Sequence, residues 1–326
     1  MTDRKIKVFF LGSGIIAVPS LLALYNDPGI ELLGVGTQPD KKAGRGNRMT
    51  PTAVGQKADE LGLSPWKIDN INDRTYLEQL RLLNPDFIVV IAFGQLLKES
   101  ILELPKQACI NVHASILPKY RGASPINSCI LAGDKVTGVA FMQMEKGLDS
   151  GPVYKIIEVS INETDNTESL QQKLAETSAL NISEVLSEIT SGKLTPVEQD
   201  HSLATHCKKI KKQDAEIDWD LNAPEIKNCI HAYYPWPVAY FFLDSPKGPR
   251  RISIVSARLS REESAEEAGT VIDGGKKKWL MACGKGTVLE ILKVKPEGKK
   301  IMPGADFLRG SQIQVGTNLK IRSLTN

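Results

Sequence analysis

The sequence is poor in the features that would place it in several large classes. Its 326 residues include five cysteines. Cys109, Cys129, Cys207, Cys229 and Cys283 are odd in number and show no Cys-x-x-Cys spacing, which argues against a disulfide framework and a zinc site and points to a reducing cytoplasm. No apolar run approaches the length needed to span a membrane. The N-terminal run over residues 6–11 is short, lacks a small-residue cleavage site and stops at Gly12, so it reads as a first strand and not as a signal peptide. Internal repeats and low-complexity tracts are absent as well. What remains, with 41% hydrophobic and 24% charged residues, is an ordinary soluble composition on a chain long enough for two domains, each with its own core.

The net charge of +3 is small but unevenly divided. Before Thr205 there are 20 Lys and Arg against 24 Asp and Glu, and from there on 21 against 14, so a net −4 gives way to +7. Such asymmetry suggests an anionic partner for the C-terminal part, most commonly nucleic acid, although a solvated basic face gives the same count.

Apolar runs at 6–11, 30–35, 87–93, 139–144 and 153–159 alternate with helical patterns at 52–61, 74–83, 124–132 and 168–189. Strands alternating with helices predict a doubly wound, Rossmann-like, mostly parallel sheet in an N-terminal domain over residues 1–190. Gly12, Gly14 and Ala17 fit a loose dinucleotide fingerprint, but no acidic residue directly ends the second strand, where Gly36, Thr37 and Gln38 stand instead. Residues 191–207 read as a polar linker; His201 and His206 lie in it without other metal ligands nearby. From 208 to 326 the pattern changes to Ile217-Asp218-Trp219, a helix over 223–233, the turn Tyr234-Pro235-Trp236-Pro237, and short apolar runs at 239–243, 252–257, 270–272, 279–283 and 288–294. That spacing predicts a small β-barrel. The aromatic and proline turn reads as core packing.

The stretch around which the chain is organised runs from Ala108 to Ile126. Alternation puts Asn111 and His113 on one face of a strand that ends near Ala114, before Pro118 and Gly122 break the chain. An amide and an imidazole side by side can donate to an oxygen that becomes negative as a nucleophile adds to a carbonyl, and the imidazole can move a proton. Asp149, in a glycine-bounded loop, is the candidate carboxylate. Asn111 and His113 as a satisfied buried pair, with Asp149 a turn residue, is the structural alternative. A second basic feature is the loop 38–51, in which Lys41, Lys42, Arg45 and Arg48 stand against Asp40. A loop this long in a compact α/β unit is functional or disordered, and its cations could follow phosphates.

Asn111, His113, Ser115-Ile116-Leu117-Pro118, Tyr120-Arg121-Gly122 and Asp149 with Gly151 resemble the signature of the folate-dependent formyltransferases. The resemblance implies that Asn111, His113 and Asp149 are the catalytic trio and that 10-formyltetrahydrofolate donates the formyl group, with no metal required. It implies that Ser115, Ile116, Leu117 and Pro118 lie against the folate, together with the backbone around Ile91, Phe93, Gln95 and Leu96. The C-terminal part resembles the OB-like tRNA-binding domain of the branch of this family that formylates initiator methionyl-tRNA. Lys41, Lys42, Arg45, Arg48, Lys208, Lys209, Lys211 and Lys212 are then the expected tRNA contacts, in a protein acting as a monomer. The family's turn after the first strand differs from Ser13 to Ile16 here. Relatives that formylate a purine precursor or a nucleotide sugar, or that hydrolyse formyltetrahydrofolate, share the N-terminal signature. A nucleotide- or RNA-binding protein without formyl chemistry is the reading from another class, and an NAD-dependent oxidoreductase rests on Gly12, Gly14 and Ala17 alone.

Overall fold

A computed structural model describes residues 4–43, 48–244, 248–274 and 278–320. Contacts divide the chain into two units, the first built from residues 1–125, 136–160 and 171–208, the second from 126–135, 161–170 and the chain from 209 onward.

The first unit is a seven-stranded sheet in the order Val153–Ser160, Val136–Gln143, Ala108–His113, Phe87–Ile91, Ile6–Gly12, Ile30–Thr37, Trp66–Lys67. The five strands from Ala108–His113 to Trp66–Lys67 are parallel, and Val136–Gln143 runs antiparallel to both of its neighbours. Every residue of Phe87–Ile91 is buried, as a strand covered on both faces requires, and this is why its sequence is apolar without alternation. The helices Val18–Asn26, Ala53–Glu60, Arg74–Leu83 and Thr167–Thr190 are present, the last three where the apolar periodicity predicts them. Thr52 caps the second of them by accepting from the Gly55 N–H at 2.9 Å, which satisfies one of the orphan donors of its first turn. The chain leaves Ile6–Gly12 toward one side of the sheet and returns to Phe87–Ile91 on the other, so a crevice at the carboxyl ends is expected at this switch point.

The glycines after the first strand have a packing role. A Cβ on Gly12 would lie 2.8 Å from the Phe10 ring and 3.1 Å from the Ile91 carbonyl, and one on Gly14 would lie 3.2 Å from the Ala92 Cβ. Small residues here let the first strand's exit pass close against the next parallel strand. The Ser13 hydroxyl joins three strand exits: it donates to the Phe93 carbonyl at 3.3 Å and accepts from Gln38 N at 3.1 Å and Thr37 Oγ1 at 3.4 Å.

The basic loop contains an antiparallel pair, Lys41–Ala43 with Arg48–Thr50; residues 44–47, Arg45 among them, lie outside the described residues. Part of the stretch expected as a linker is paired: His206–Cys207 lies parallel to Arg121–Gly122, and Val197 exchanges backbone hydrogen bonds with Val153.

In the second unit the strands Tyr240–Leu243, Arg250–Glu263, Thr287–Pro296, Leu280–Ala282 and Val271–Asp273 form an antiparallel sheet in that order, with Met302–Pro303 on Thr287–Pro296. The sheet curls. Phe241 lies on a strand three places from the one that Trp279 immediately precedes, about 14 Å in a flat sheet, yet their ring centroids are 6.3 Å apart. The half-barrel encloses Ile252, Ile254, Val271, Met281, Leu289 and Ile291, and the helix Ala223–Ala232 adds Ile226 and Ile230. An Asn222–Glu225 capping box starts that helix. Ile217 and Trp219 are core residues; in the Tyr-Pro-Trp-Pro turn Pro237 is buried and Tyr234 half-buried, whereas Pro235 and Trp236 are exposed, so the turn's packing falls to Pro237 and the preceding Tyr233.

Candidate active site

The site is assembled where the strand Ala108–His113 ends. Asn111 and His113 leave the strand on the same face, as alternation requires, and Asp149 comes to them on the loop after Val136–Gln143. Asn111 Nδ2 donates to Asp149 Oδ1 at 3.4 Å, the Gly122 N–H donates to Asp149 Oδ2 at 2.8 Å, and His113 Nδ1 stands 3.6 Å from that second oxygen. His113 Nε2 is 2.9 Å from the Tyr120 carbonyl. A carbonyl only accepts, so Nε2 carries a hydrogen and Nδ1 is the nitrogen turned to the carboxylate. Both side chains are largely withdrawn from solvent, with 6% of His113 and 14% of Asp149 exposed, and the low local dielectric strengthens their interaction.

Two of these residues sit in sparsely populated backbone conformations. Asp149 has φ +50° and Tyr120 φ +59°, a left-handed region that non-glycine residues occupy when surrounding bonds enforce it. Gly122, at φ +119°, lies so close to the Cys207 carbonyl that a Cβ there would collide with it. The sequence marked Tyr120-Arg121-Gly122 as a motif; what it did not show is that Tyr120 O and Gly122 N act through the backbone.

Of the predicted folate residues, Ser115 is fully buried and donates to the Lys119 carbonyl at 2.6 Å, closing the turn. Leu117 packs on Ala140 and Met142, and Ile116 lies beside Gly138. Ile91 and Phe93 are core residues; the Phe93 carbonyl accepts from Gln38 Nε2 at 2.8 Å. The Gln95 amide bonds to Ile71 N at 2.8 Å and Ile68 O at 2.9 Å, pinning the loop, and Leu96 is exposed. This segment therefore offers a pocket its backbone, with Ala92 at φ +47° and Gly94 at φ +81° setting the turn. Lys41, Lys42, Arg48, Lys208, Lys209, Lys211 and Lys212 are exposed. Among the described residues no group of three or more His, Cys, Asp and Glu side chains gathers as metal ligands would, and no helix is long and apolar enough to cross a membrane.

Sequence reasoning passed over Gln199. It sits in the stretch expected as a linker, where one polar residue among many gives no signal. In the structure it is buried and touches the Asp149 loop.

An amide and an imidazole at the carboxyl end of one strand, with a carboxylate brought to them on a neighbouring loop, make an arrangement suited to acyl transfer, a class that includes the family the comparisons find. Residues 4–186 match the formyl transferase family and residues 209–312 its C-terminal domain; the chain belongs to the formyl transferases. It is 38% identical to the methionyl-tRNA formyltransferase of Thermodesulfovibrio yellowstonii, covering 95% of this chain and 97% of that one. It is 39% identical to that of Bacillus velezensis over 95% of this chain and 96% of the relative. Among solved structures, a sugar 3N-formyl transferase crystallised with dTDP and 5-N-formyl-THF shares the fold at a TM-score of 0.65 and 17% identity, covering 91% of this chain and 100% of that one. An N-formyltransferase from Helicobacter canadensis, in complex with folinic acid and dTDP-3-aminofucose, gives 0.65 at 19% identity, with 88% and 98% covered.

Proposed function

We propose that this protein transfers the formyl group of 10-formyltetrahydrofolate to the α-amine of methionine carried on initiator tRNA, in the cytoplasm and as a monomer. The observation that carries this reading is the convergence of Asn111, His113 and the Gly122 N–H on Asp149, in a chain whose two parts both match the family.

Binding holds amine and formyl carbon together, the main advantage available to a two-substrate transfer. As the amine adds, a C–N bond forms and negative charge grows on the formyl oxygen. Asn111 has a second N–H besides the one turned to Asp149, and this hydrogen serves the oxygen. His113 serves it through Nε2 when the substrate oxygen takes the place of the Tyr120 carbonyl, an exchange of one acceptor for another. Asp149 faces the imidazolium and accepts the proton that the attacking amine must lose. That proton ends on the folate nitrogen as its bond to the formyl carbon breaks, so the group transfer is balanced without a further reactant.

Lys41, Lys42, Arg45 and Arg48 on one basic segment, and Lys208, Lys209, Lys211 and Lys212 on another, supply cations for the tRNA backbone. They favour tRNA over a nucleotide sugar or water as acceptor.

Incubating the protein with 10-formyltetrahydrofolate and methionyl initiator tRNA, beside a tube without tRNA, tests the reading. Formyl-methionine appearing with charged tRNA, and tetrahydrofolate released in that tube alone, is expected. Release without tRNA points to a hydrolase, and no turnover in either tube overturns the formyl chemistry.

A further inference from the structure

Resting on the reading of Asp149 as the carboxylate that handles the proton, we propose that Gln199 is a positioning residue that fixes the Asp149 loop in its working conformation, with Arg121 setting the orientation of the Gln199 amide. Arg121 donates to Gln199 Oε1 from Nε at 3.1 Å and from Nη2 at 2.7 Å. A guanidinium has no acceptor, so the amide oxygen must be the end turned toward it. The NH2 is thereby aimed the other way, and it donates to the Asp149 carbonyl at 3.0 Å and to the Gly151 carbonyl at 2.6 Å. Both side chains are withdrawn from water, Arg121 at 5% exposure and Gln199 at 7%. Here charge-assisted hydrogen bonds are strong and leaving one unmade is costly.

The two bonded carbonyls bracket the turn in which Asp149 takes its φ of +50°. A non-glycine residue stays there only if its surroundings over-determine it, and one amide holding the carbonyl of Asp149 and that of Gly151 does this. The segment carrying Gln199 is itself fixed at both ends. Val197 exchanges hydrogen bonds with Val153 at 2.8 and 2.9 Å, Thr205 accepts from the backbone of Tyr120 and Arg121 at 2.9 Å each, and His206–Cys207 pairs with Arg121–Gly122. Gln199 therefore lies on a strap tied on one side to the strand that follows the Asp149 loop and on the other to the turn that supplies the Gly122 N–H. A second hydrogen bond from Arg121 Nη2 reaches His201 Nδ1 at 3.0 Å.

The test pairs Gln199→Met, which keeps the volume and removes the hydrogen bonds, with Asp149→Ala in a double-mutant cycle. Formylation is measured in single turnovers with enzyme in excess, and melting temperature is followed for each variant. Gln199→Met alone is expected to slow the transfer step by about 10- to 100-fold, the effect of misplacing a reacting group by roughly an ångström, with the KM for either substrate within about twofold of wild type. In the Asp149→Ala background it is expected to add less than about twofold, because a residue acting through Asp149 has nothing left to position. Multiplicative losses, or a melting shift with full transfer rate, overturn the proposal. Gln199→Glu keeps the Arg121 pairing and the size but turns an oxygen toward the two carbonyls. It too must lose rate, and full activity in that variant overturns the proposal even where Gln199→Met is unfolded. A fast Asp149→Ala enzyme refutes the site itself; a slow Asp149→Ala beside a fast Gln199→Met refutes the strap alone.

Discussion

The carboxylate of Asp149 faces Nδ1 of His113 across 3.6 Å, while the other ring nitrogen is 2.9 Å from the Tyr120 carbonyl. The imidazole is thus held from both sides in one orientation, and its partner oxygen also accepts from Gly122 N at 2.8 Å. Asp149→Asn preserves shape but removes the charge and half of the acceptor capacity. We expect it to slow formyl transfer by about two orders of magnitude or more, with Asn111→Ala and His113→Ala in the same range. Because His113 is buried and Asp149 accepts from Gly122 N, melting is followed beside the rate for each variant, and the loss of transfer rate at a temperature where the variant is folded is the readout. Near-normal single-turnover rates in all three variants would remove the mechanism.

The basic hairpin makes a prediction read from salt. Each Lys or Arg that neutralises a phosphate on a single-stranded end contributes about 0.7 to the slope of log affinity against log salt. Lys42→Ala and Arg48→Ala should each flatten the slope for tRNA binding by about that amount and weaken binding most at low salt, and Arg45→Ala should do the same. A slope identical to wild type in all three makes the hairpin a bystander.

The division between what was legible in the sequence and what was not follows from how each part is held. The strand Phe87–Ile91 and the helix Thr167–Thr190 are fixed by burial, and burial leaves a hydrophobic pattern. Asn111 and His113 stood out because polar residues on an apolar strand are unusual. The strand expected to stop at Ala257 continues to Glu263, since Leu259 pairs with Leu289 and Arg258 makes an ion pair with Glu290 at 2.7 Å. Charged residues on a solvent face hide such an extension. Residues 191–207 read as a linker because their order comes from single contacts at Val197, Gln199 and Thr205, which have no period. Gly12 was ambiguous for another reason: close packing and dinucleotide binding both demand a residue without a side chain, and here the Phe10 ring and the Ile91 carbonyl account for it.

Gly122 links fold to chemistry and makes a sharper test than a core substitution. Its φ of +119° disfavours any side chain, and a Cβ would strike the Cys207 carbonyl. Gly122→Ala is expected to cost roughly 1–3 kcal/mol of stability and, because the same residue's N–H holds Asp149, to lower turnover beyond what the shift in melting explains. Thermal melts beside single-turnover rates separate the two effects. A variant that is destabilised but fully active at low temperature shows that the Asp149 hydrogen bond is dispensable.

His231 offers a pH-dependent test in the second unit. Burial pushes its imidazole below its ordinary value, the nearby Lys227 ammonium pushes the same way, and the backbone of Asp165 and its carboxylate oppose them. Asp134, Lys135 and Glu163 line the same polar cleft. In the unfolded chain a histidine takes up a proton near pH 6.5. As the pH falls past that point, the unfolded state binds a proton that the folded state refuses, so stability declines until the folded-state value is reached and is level below it. His231→Gln cannot titrate and lacks this component. Between about pH 7.5 and pH 5.5 the wild-type melting temperature should therefore drop further than that of His231→Gln. Parallel pH profiles would show that His231 is protonated as readily in the folded protein as in the unfolded chain.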